Sequence, residues 1–340
     1  MRSSGFLVLL LLLPFDVAQA ASQGDYEDCQ KVSGEKTFAA CNRILQDKGE
    51  SAKNRALAYY SRGNAYGNKG DLDSAVDDYS AAIKLDPTLV AAYIRRGMAL
   101  SAMFEYDDAV ADFSDAIRLD PKDPNTYAMR GTAYGVMRDF DLAIADFSSA
   151  IRIDPQYVFA YMSRGEEYRR KRDYDRALAD YDEAIRLDPK RANAYFARGV
   201  LYNDKRDSEK ASADFSTAIQ LDPRLSNAYY NRGFLFSAKR DYERAIADYS
   251  EAIKLNPKFT DAHLARGQAY RAKSDYDRAI ADFTAAIKLS PRTTMAYSER
   301  GITYRAKGDT ARAVADFRQA LSIYPKFEPA LQQLKELGVK

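Results

Sequence analysis

The chain of 340 residues has no tryptophan, one histidine and two cysteines, and its charges nearly cancel, with 51 lysines and arginines against 49 aspartates and glutamates. Each shortage removes a class of function. A lone His263 and two cysteines far from it cannot assemble the nitrogen and sulfur ligands of a zinc centre, so no metal site is expected. A net charge of +2 leaves no electrostatic footprint for a polyanion, and nucleic acid is not an expected partner. Beyond the first twenty residues no apolar run approaches the length that crosses a bilayer, so no membrane span is expected. Neither a serine nucleophile elbow, nor a glycine-rich phosphate loop, nor a His-Glu-x-x-His pair occurs. No catalytic residue and no cofactor is therefore expected. What remains is ordinary globular material, 46% apolar and 29% charged.

The first residues, "MRSSGFLVLLLLLPFDVAQAAS", place one arginine before an apolar core and end in the small-residue pattern Ala18-Gln19-Ala20. Such a segment, over residues 1–20, reads as a secretory signal peptide cleaved near Ala20, too short in its apolar part to anchor. The mature protein is then expected to be soluble and exported, periplasmic or secreted. Both cysteines, Cys29 and Cys41, fall in residues 21–55, where "DCQKVSGEKTFAACNRIL" reads as helix, turn at Ser33-Gly34-Glu35 and helix. They could face each other across that hairpin as a disulfide, the expected state in an oxidising compartment; the alternative is two free buried thiols.

Prolines recur at 87, 121, 155, 189, 223, 257, 291 and 325, a spacing of 34 residues without insertion or deletion. Eight repeats counted from Ala56 run to Phe327. Glycine holds position 8 throughout (Gly63 to Gly301), alanine positions 20 and 27, and a large aromatic position 24 (Tyr79 to Phe317). Positions 4, 7, 8 and 11 form one helical stripe and 20, 23, 24 and 27 another, so each repeat is two amphipathic helices. An acid at position 16 is placed to cap the second helix, and the proline at position 32 to stop it. One such pair cannot enclose a core by itself; stacking can.

The repeat "AYYSRGNAYGNKGDLDSAVDDYSAAIKLDP" resembles the tetratricopeptide repeat, whose period is 34 residues. Tyrosine stands at position 4 where that family usually has tryptophan, and arginine at position 7 where it has leucine. The resemblance implies an all-α fold, a right-handed superhelical solenoid of antiparallel helix pairs. Residues 21–55 look like a degenerate first repeat, as in exported bacterial members, and residues 328–340 like a capping helix. His263 sits at position 4 of the seventh repeat, where the other seven have tyrosine, which argues for a structural role rather than a catalytic base or ligand.

Arginine fills position 7 in every repeat (Arg62, Arg96, Arg130, Arg164, Arg198, Arg232, Arg266, Arg300). Aspartate fills position 23 (Asp78, Asp112, Asp146, Asp180, Asp214, Asp248, Asp282, Asp316). An unpaired charge on a core stripe is costly, so these are expected to pair, within a repeat or with the one before; a solvated charge band is the alternative.

The resemblance further implies that first helices form a concave wall, with partner contacts at positions 2, 5, 6, 9, 12 and 13. Those positions differ from copy to copy: Tyr60 and Asn64; Ile94, Arg95 and Met98; Met129; Met162, Glu166, Arg169 and Arg170; Phe196, Val200 and Asn203; Tyr230, Asn231 and Phe234; Leu264, Gln268 and Arg271. The Lys/Asn/Arg set with which some relatives clamp a C-terminal carboxylate is not present in order. The methionines and bulky residues suggest an adaptable, partly apolar groove for an extended or helical segment, unless they only pack between neighbouring helices. The expected function is a non-enzymatic protein-protein interaction scaffold or adaptor with a protein or peptide partner. A self-associating subunit of an envelope machine, a homo-oligomer, is the alternative, and a hydrolytic enzyme the reading from another class.

Overall fold

The computed structural model describes residues 20–31 and 34–339. The leader reading, which rests on residues 1–19, and Ser33 of the expected turn lie outside them. Nineteen helices and no strand occur among the described residues. Helices α1 (Gln23–Gln30) and α2 (Glu35–Gln46) precede eight pairs: α3 (Ala52–Lys69) with α4 (Leu72–Leu85), α5 (Val90–Ala102) with α6 (Tyr106–Leu119), α7 (Pro124–Val136) with α8 (Phe140–Ile153), and α9 (Val158–Arg170) with α10 (Tyr174–Leu187). Then come α11 (Ala192–Asp204) with α12 (Ser208–Leu221), α13 (Ser226–Ala238) with α14 (Tyr242–Leu255), α15 (Thr260–Ala272) with α16 (Tyr276–Leu289), and α17 (Thr294–Ala306) with α18 (Thr310–Ile323). Helix α19 (Glu328–Glu336) closes the chain. Two compact units divide between Ala160 and Tyr161. Within each, second helices pack between successive first helices, and neighbouring first helices touch (α3 with α5, α5 with α7, α13 with α15, α15 with α17).

Local chemistry sets the boundaries. Asp71, Asp173, Asp207, Asp241, Asp275 and Asp309 each accept a backbone N–H three residues on, capping a second helix. Glu105 and Asp139 occupy the same position without a side-chain cap, a departure from the expectation; the extra methylene carries the Glu105 carboxylate beyond the short loop that aspartate closes, and nothing in the structure explains Asp139. The repeat prolines act through the residue before them: Asp86, for example, is driven to φ −136°, ψ 89°, out of the helical region. Between the two helices the chain reverses at a left-handed residue, Gly70 at φ 81° and Gly308 at φ 88° but also Arg172 at φ 61°. The next N–H reaches back five residues, as from Asp71 to the Tyr66 carbonyl at 3.1 Å, satisfying the end of the first helix.

Ahead of the repeats, Cys29 and Cys41 form a disulfide with Cα atoms 4.8 Å apart, sealed in a small core with Ala40, Ile44 and Ala58. A loop this short is stabilised by about 3 kcal/mol in the chain-entropy view. Arg43 Nε donates to Asp25 at 2.7 Å, tying α2 to α1 a second time. The contact with Arg43, helped by the Ser22 backbone N–H, lowers the pKa of Asp25 to about 2.

In every repeat the glycine at position 8 lies under the aromatic ring at position 24. A Cβ on Gly199 would stand 2.7 Å from Phe215 Cε1, and on Gly63 2.8 Å from Tyr79 Cε1. A side chain there would have to push the ring aside, so the two backbones close to the distance the ring permits.

The charged stripe is paired within each repeat. Arginine Nε and Nη2 donate to the two carboxylate oxygens of the position-23 aspartate, in parallel, at 2.6 to 2.9 Å in all eight copies. The aspartates are buried, while the arginine side chains keep 17 to 23% of their surface in solvent. Nη1 reaches into the preceding repeat: Arg96 to Ser80 Oγ at 2.8 Å, Arg198 to Asp182 Oδ1 at 2.6 Å, Arg266 to Ser250 Oγ at 3.0 Å. One guanidinium thus holds three helices. The tyrosine at position 4 lies beside it, with Arg62 5.4 Å from the Tyr59 centroid and Arg198 5.6 Å from that of Tyr195.

Two substitutions test this packing. Asp180→Ala strips the forked carboxylate from Arg164, and because that side chain keeps some solvent the expected loss is about 2 kcal/mol rather than the 3–5 of a fully buried broken pair. Urea unfolding measures it, and a loss below about 0.5 kcal/mol would reject a structural pair. Gly199→Ala should lower Tm despite the better helix propensity of alanine, since overpacking of about 1–3 kcal/mol exceeds a gain of about 1. Gly131→Ala, whose Cβ would sit 3.2 Å from its nearest neighbours, should cost less.

Candidate interaction face and the singular histidine

His263 is the one side chain that composition marked as a candidate for acid-base chemistry. It lies buried on α15 with Nδ1 3.2 Å from Asp282 Oδ1 and Nε2 3.4 Å from the Pro257 carbonyl. Asp282 is already the bidentate partner of Arg266. The histidine therefore contributes a hydrogen bond to the carboxylate where a tyrosine elsewhere lies beside the guanidinium. Burial works to raise the pKa of Asp282, but Arg266 and His263 together outweigh it and hold the carboxyl below its usual range. No group of three or more metal-ligating side chains occurs among the described residues.

The variable positions of the first helices fall into three behaviours. Some pack inward: Tyr60 against Tyr79 at 6.1 Å, Phe196 against Phe215 at 5.8 Å, Tyr230 between Tyr249 at 5.8 Å and Phe259 at 4.9 Å. Val200 packs beside Phe196 around Phe215 and Leu235, Met129 reaches the core of Leu100 and Phe113, and Ile94, Met162, Asn203 and Leu264 are half-buried. Others are bound to their neighbours. Glu166 accepts from Arg169 at 2.8 Å, from Arg170 at 3.2 Å and from the Tyr181 hydroxyl at 3.2 Å. Arg169 Nη1 bridges to Asp204 at 2.7 Å, Gln268 and Arg271 both donate to Glu299 at 3.0 and 2.9 Å, and Asn231 donates to the Asn227 carbonyl at 2.8 Å. Burial tends to raise the pKa of Glu166, yet the two arginines leave it lowered.

The third group stays open. Arg95 is exposed, as are Met98 (40%) and Phe234 (51%). In the unit that ends at Ala160 the face holds two clefts, of about 550 Å³ and about 400 Å³, which meet at Met98. The first is lined by Tyr60, Asn64, Tyr79 and Arg95, the second by Met129, Val136, Tyr157 and Phe159. Tyr79 donates its hydroxyl to Asn64 Oδ1 at 2.9 Å, and burial pushes its pKa up to about 12 although the charge of Arg95 works the other way. Val136, Phe159, Asp204 and Glu299 stand at the contact positions named from the sequence but were not singled out. Their signal was there, since they too differ between copies; which of them would be open and which paired was not.

Helix pairs repeating at 34 residues, each with the same buried glycine, aromatic and ion pair, define an all-α repeat solenoid. Tetratricopeptide repeat models match residues 56–89, 90–123, 124–157, 192–225, 230–292 and 264–326, and a TPR repeat model matches 165–205. The chain belongs to the tetratricopeptide repeat family. No curated protein is significantly similar to it. Among solved structures, YrrB, described as a TPR protein with an unusual peptide-binding site, is 25% identical over 56% of this chain and 97% of its own, with a TM-score of 0.50. A tetratricopeptide repeat protein from Parabacteroides merdae is 20% identical over 73% of this chain and 98% of its own, with a TM-score of 0.59. Pseudomonas aeruginosa pilF is 17% identical over 63% and 97%, with a TM-score of 0.57. The likeness to the last two is one of fold.

A depressed carboxylate stabilises the fold above its unfolded pKa, near 4, and that contribution is lost as pH falls through the lower folded value. His263→Tyr removes one of the groups that depress Asp282, so calorimetry between pH 5 and pH 2.5 should show a smaller fall in Tm for the variant than for the wild type. Equal falls would mean that His263 does not stabilise the charged carboxylate.

Proposed function

We propose that this protein is a non-enzymatic protein-protein interaction scaffold, exported to the periplasm, that binds a segment of a partner on the face made by its first helices. The carrying observation is the contrast on each repeat between a core that recurs in kind and a face that differs from copy to copy and keeps Met98 and Phe234 open to solvent. A repeated core demands nothing of the face, so exposed apolar side chains there are best accounted for by a partner. The description of YrrB as having a peptide-binding site supports the same reading. Export is supported by the apolar leader and by the Cys29–Cys41 disulfide, a bond that persists in oxidising compartments. The carboxylates of the repeats are largely committed to caps and ion pairs, which leaves acid-base chemistry without the asymmetric pair it requires.

Site-specific photo-crosslinking tests the reading. A photoreactive residue at Met98 or Phe234 should capture an exported protein that the same residue at Gln220, exposed on second helix α12, does not. Equal capture at all three positions would remove the face from the proposal. Capture of a second copy of this chain, with a defined oligomer in light scattering, would favour the self-associating subunit instead.

A further inference from the structure

The first-helix face carries different chemistry in the two units. In α3, α5 and α7 the contact positions 2, 5, 6, 9, 12 and 13 hold one charged residue, Arg95, and no carboxylate. In α9, α11, α13, α15 and α17 the same positions hold both signs, and most of these charges neutralise one another: Arg169 on Glu166 and Asp204, Arg271 on Glu299, Arg305 on Glu336 at 2.6 Å. A partner charge arriving there must displace an existing bond. Arg95, by contrast, is exposed and makes no ion pair among the described residues. In a chain with almost as many acids as bases, a face cleared of acids around one cation is a complementary surface for a carboxylate.

What lies beside Arg95 specifies the rest of the ligand. Asn64 shares the cleft, and because its Oδ1 accepts from Tyr79 its amide hydrogens remain as donors. Met98, three positions after Arg95, is displaced by about 4.5 Å along α5 and opens the second cleft. The exposed apolar wall there is Val136 at 52% and Phe159 at 45%, backed by Met129 and Phe113. Donors at one end and an adaptable apolar trough at the other fit one carboxylate followed by several apolar side chains.

We propose that the face of α3, α5 and α7, closed by Phe159 at the start of α9, is the primary docking site, and that its occupant is a segment of a partner protein in which an acidic residue adjoins an apolar run. The acidic side chain meets Arg95 and Asn64, and the apolar run lies from Met98 to Phe159. This deepens the scaffold reading and rests on it.

The probe is an array of twelve-residue peptides, acetylated and amidated so that no terminal carboxylate competes, each with one glutamate beside three to five apolar residues. Matched arrays carry glutamine or lysine instead. Wild-type protein should bind glutamate members at least about fivefold better than their lysine counterparts, the scale of an exposed charge pair. Arg95→Glu should reverse that preference, Met98→Glu should abolish binding to all three arrays, and Gln220→Glu, on second helix α12 away from this face, should leave binding unchanged. All three positions are solvent-exposed, and far-UV circular dichroism with thermal melts confirms that the variants fold. A glutamate preference that survives Arg95→Glu, binding lost with Gln220→Glu but kept with Met98→Glu, or no binding to any array would overturn the proposal. Cross-linking at Phe234 can still succeed in that event, which separates this failure from failure of the scaffold reading.

Discussion

The forked hydrogen bond between the position-7 arginine and the position-23 aspartate is the contact through which the rest of the repeat is organised. Apolar packing alone tolerates sliding and rotation, because a leucine or alanine presents much the same surface over several ångströms. A guanidinium bound to both oxygens of a carboxylate does not, since both short contacts are kept over only a narrow range of angle and register. Here the fork aligns the two helices of a repeat, and its remaining nitrogen takes the hydroxyl or carboxylate of the repeat before. Such pairs add little net stability over well-packed apolar residues, but breaking one strands a charge. Their value is orientation, repeated eight times.

Around that constraint the other recurring residues have defined tasks. Glycine at position 8 lets the helices approach until an aromatic ring fills the gap, and the ring fixes their separation as the fork fixes their register. The tyrosine at position 4 gives the guanidinium an aromatic flank while the arginine keeps part of its surface wet. His263 shows how narrow that role is. Substituted for a tyrosine, it gives up the position-4 flank, leaving Arg266 beside Tyr270 alone, and instead bonds the same carboxylate, so the singular residue of the composition becomes a variant of the common one.

A face freed from structural duty can then carry recognition, and the two units use that freedom differently. Where arginines and carboxylates both occur on it, bonds within and between helices consume most of them and the surface is polar but largely satisfied. Where carboxylates are missing, one arginine and a methionine-lined cleft stay open. The difference lies in where charges of each sign fall rather than in how many there are.

Period, helix pairing and the charged stripe were all legible from residue spacing, because a helix places every third and fourth residue on one side whatever surrounds it. The reading also placed partner contacts at six positions of the first helix. It could not sort Phe196 and Tyr230, which pack on their own second helices, from Phe234, which does not, nor see that Arg169 and Arg271 are occupied while Arg95 makes no ion pair among the described residues. It left open whether each arginine binds within its repeat or to the one before, and the structure shows both in one side chain. Those outcomes depend on distances between residues some 15 to 35 positions apart along the chain. Helical periodicity fixes which side a residue faces, and only the packed neighbours decide what it meets there.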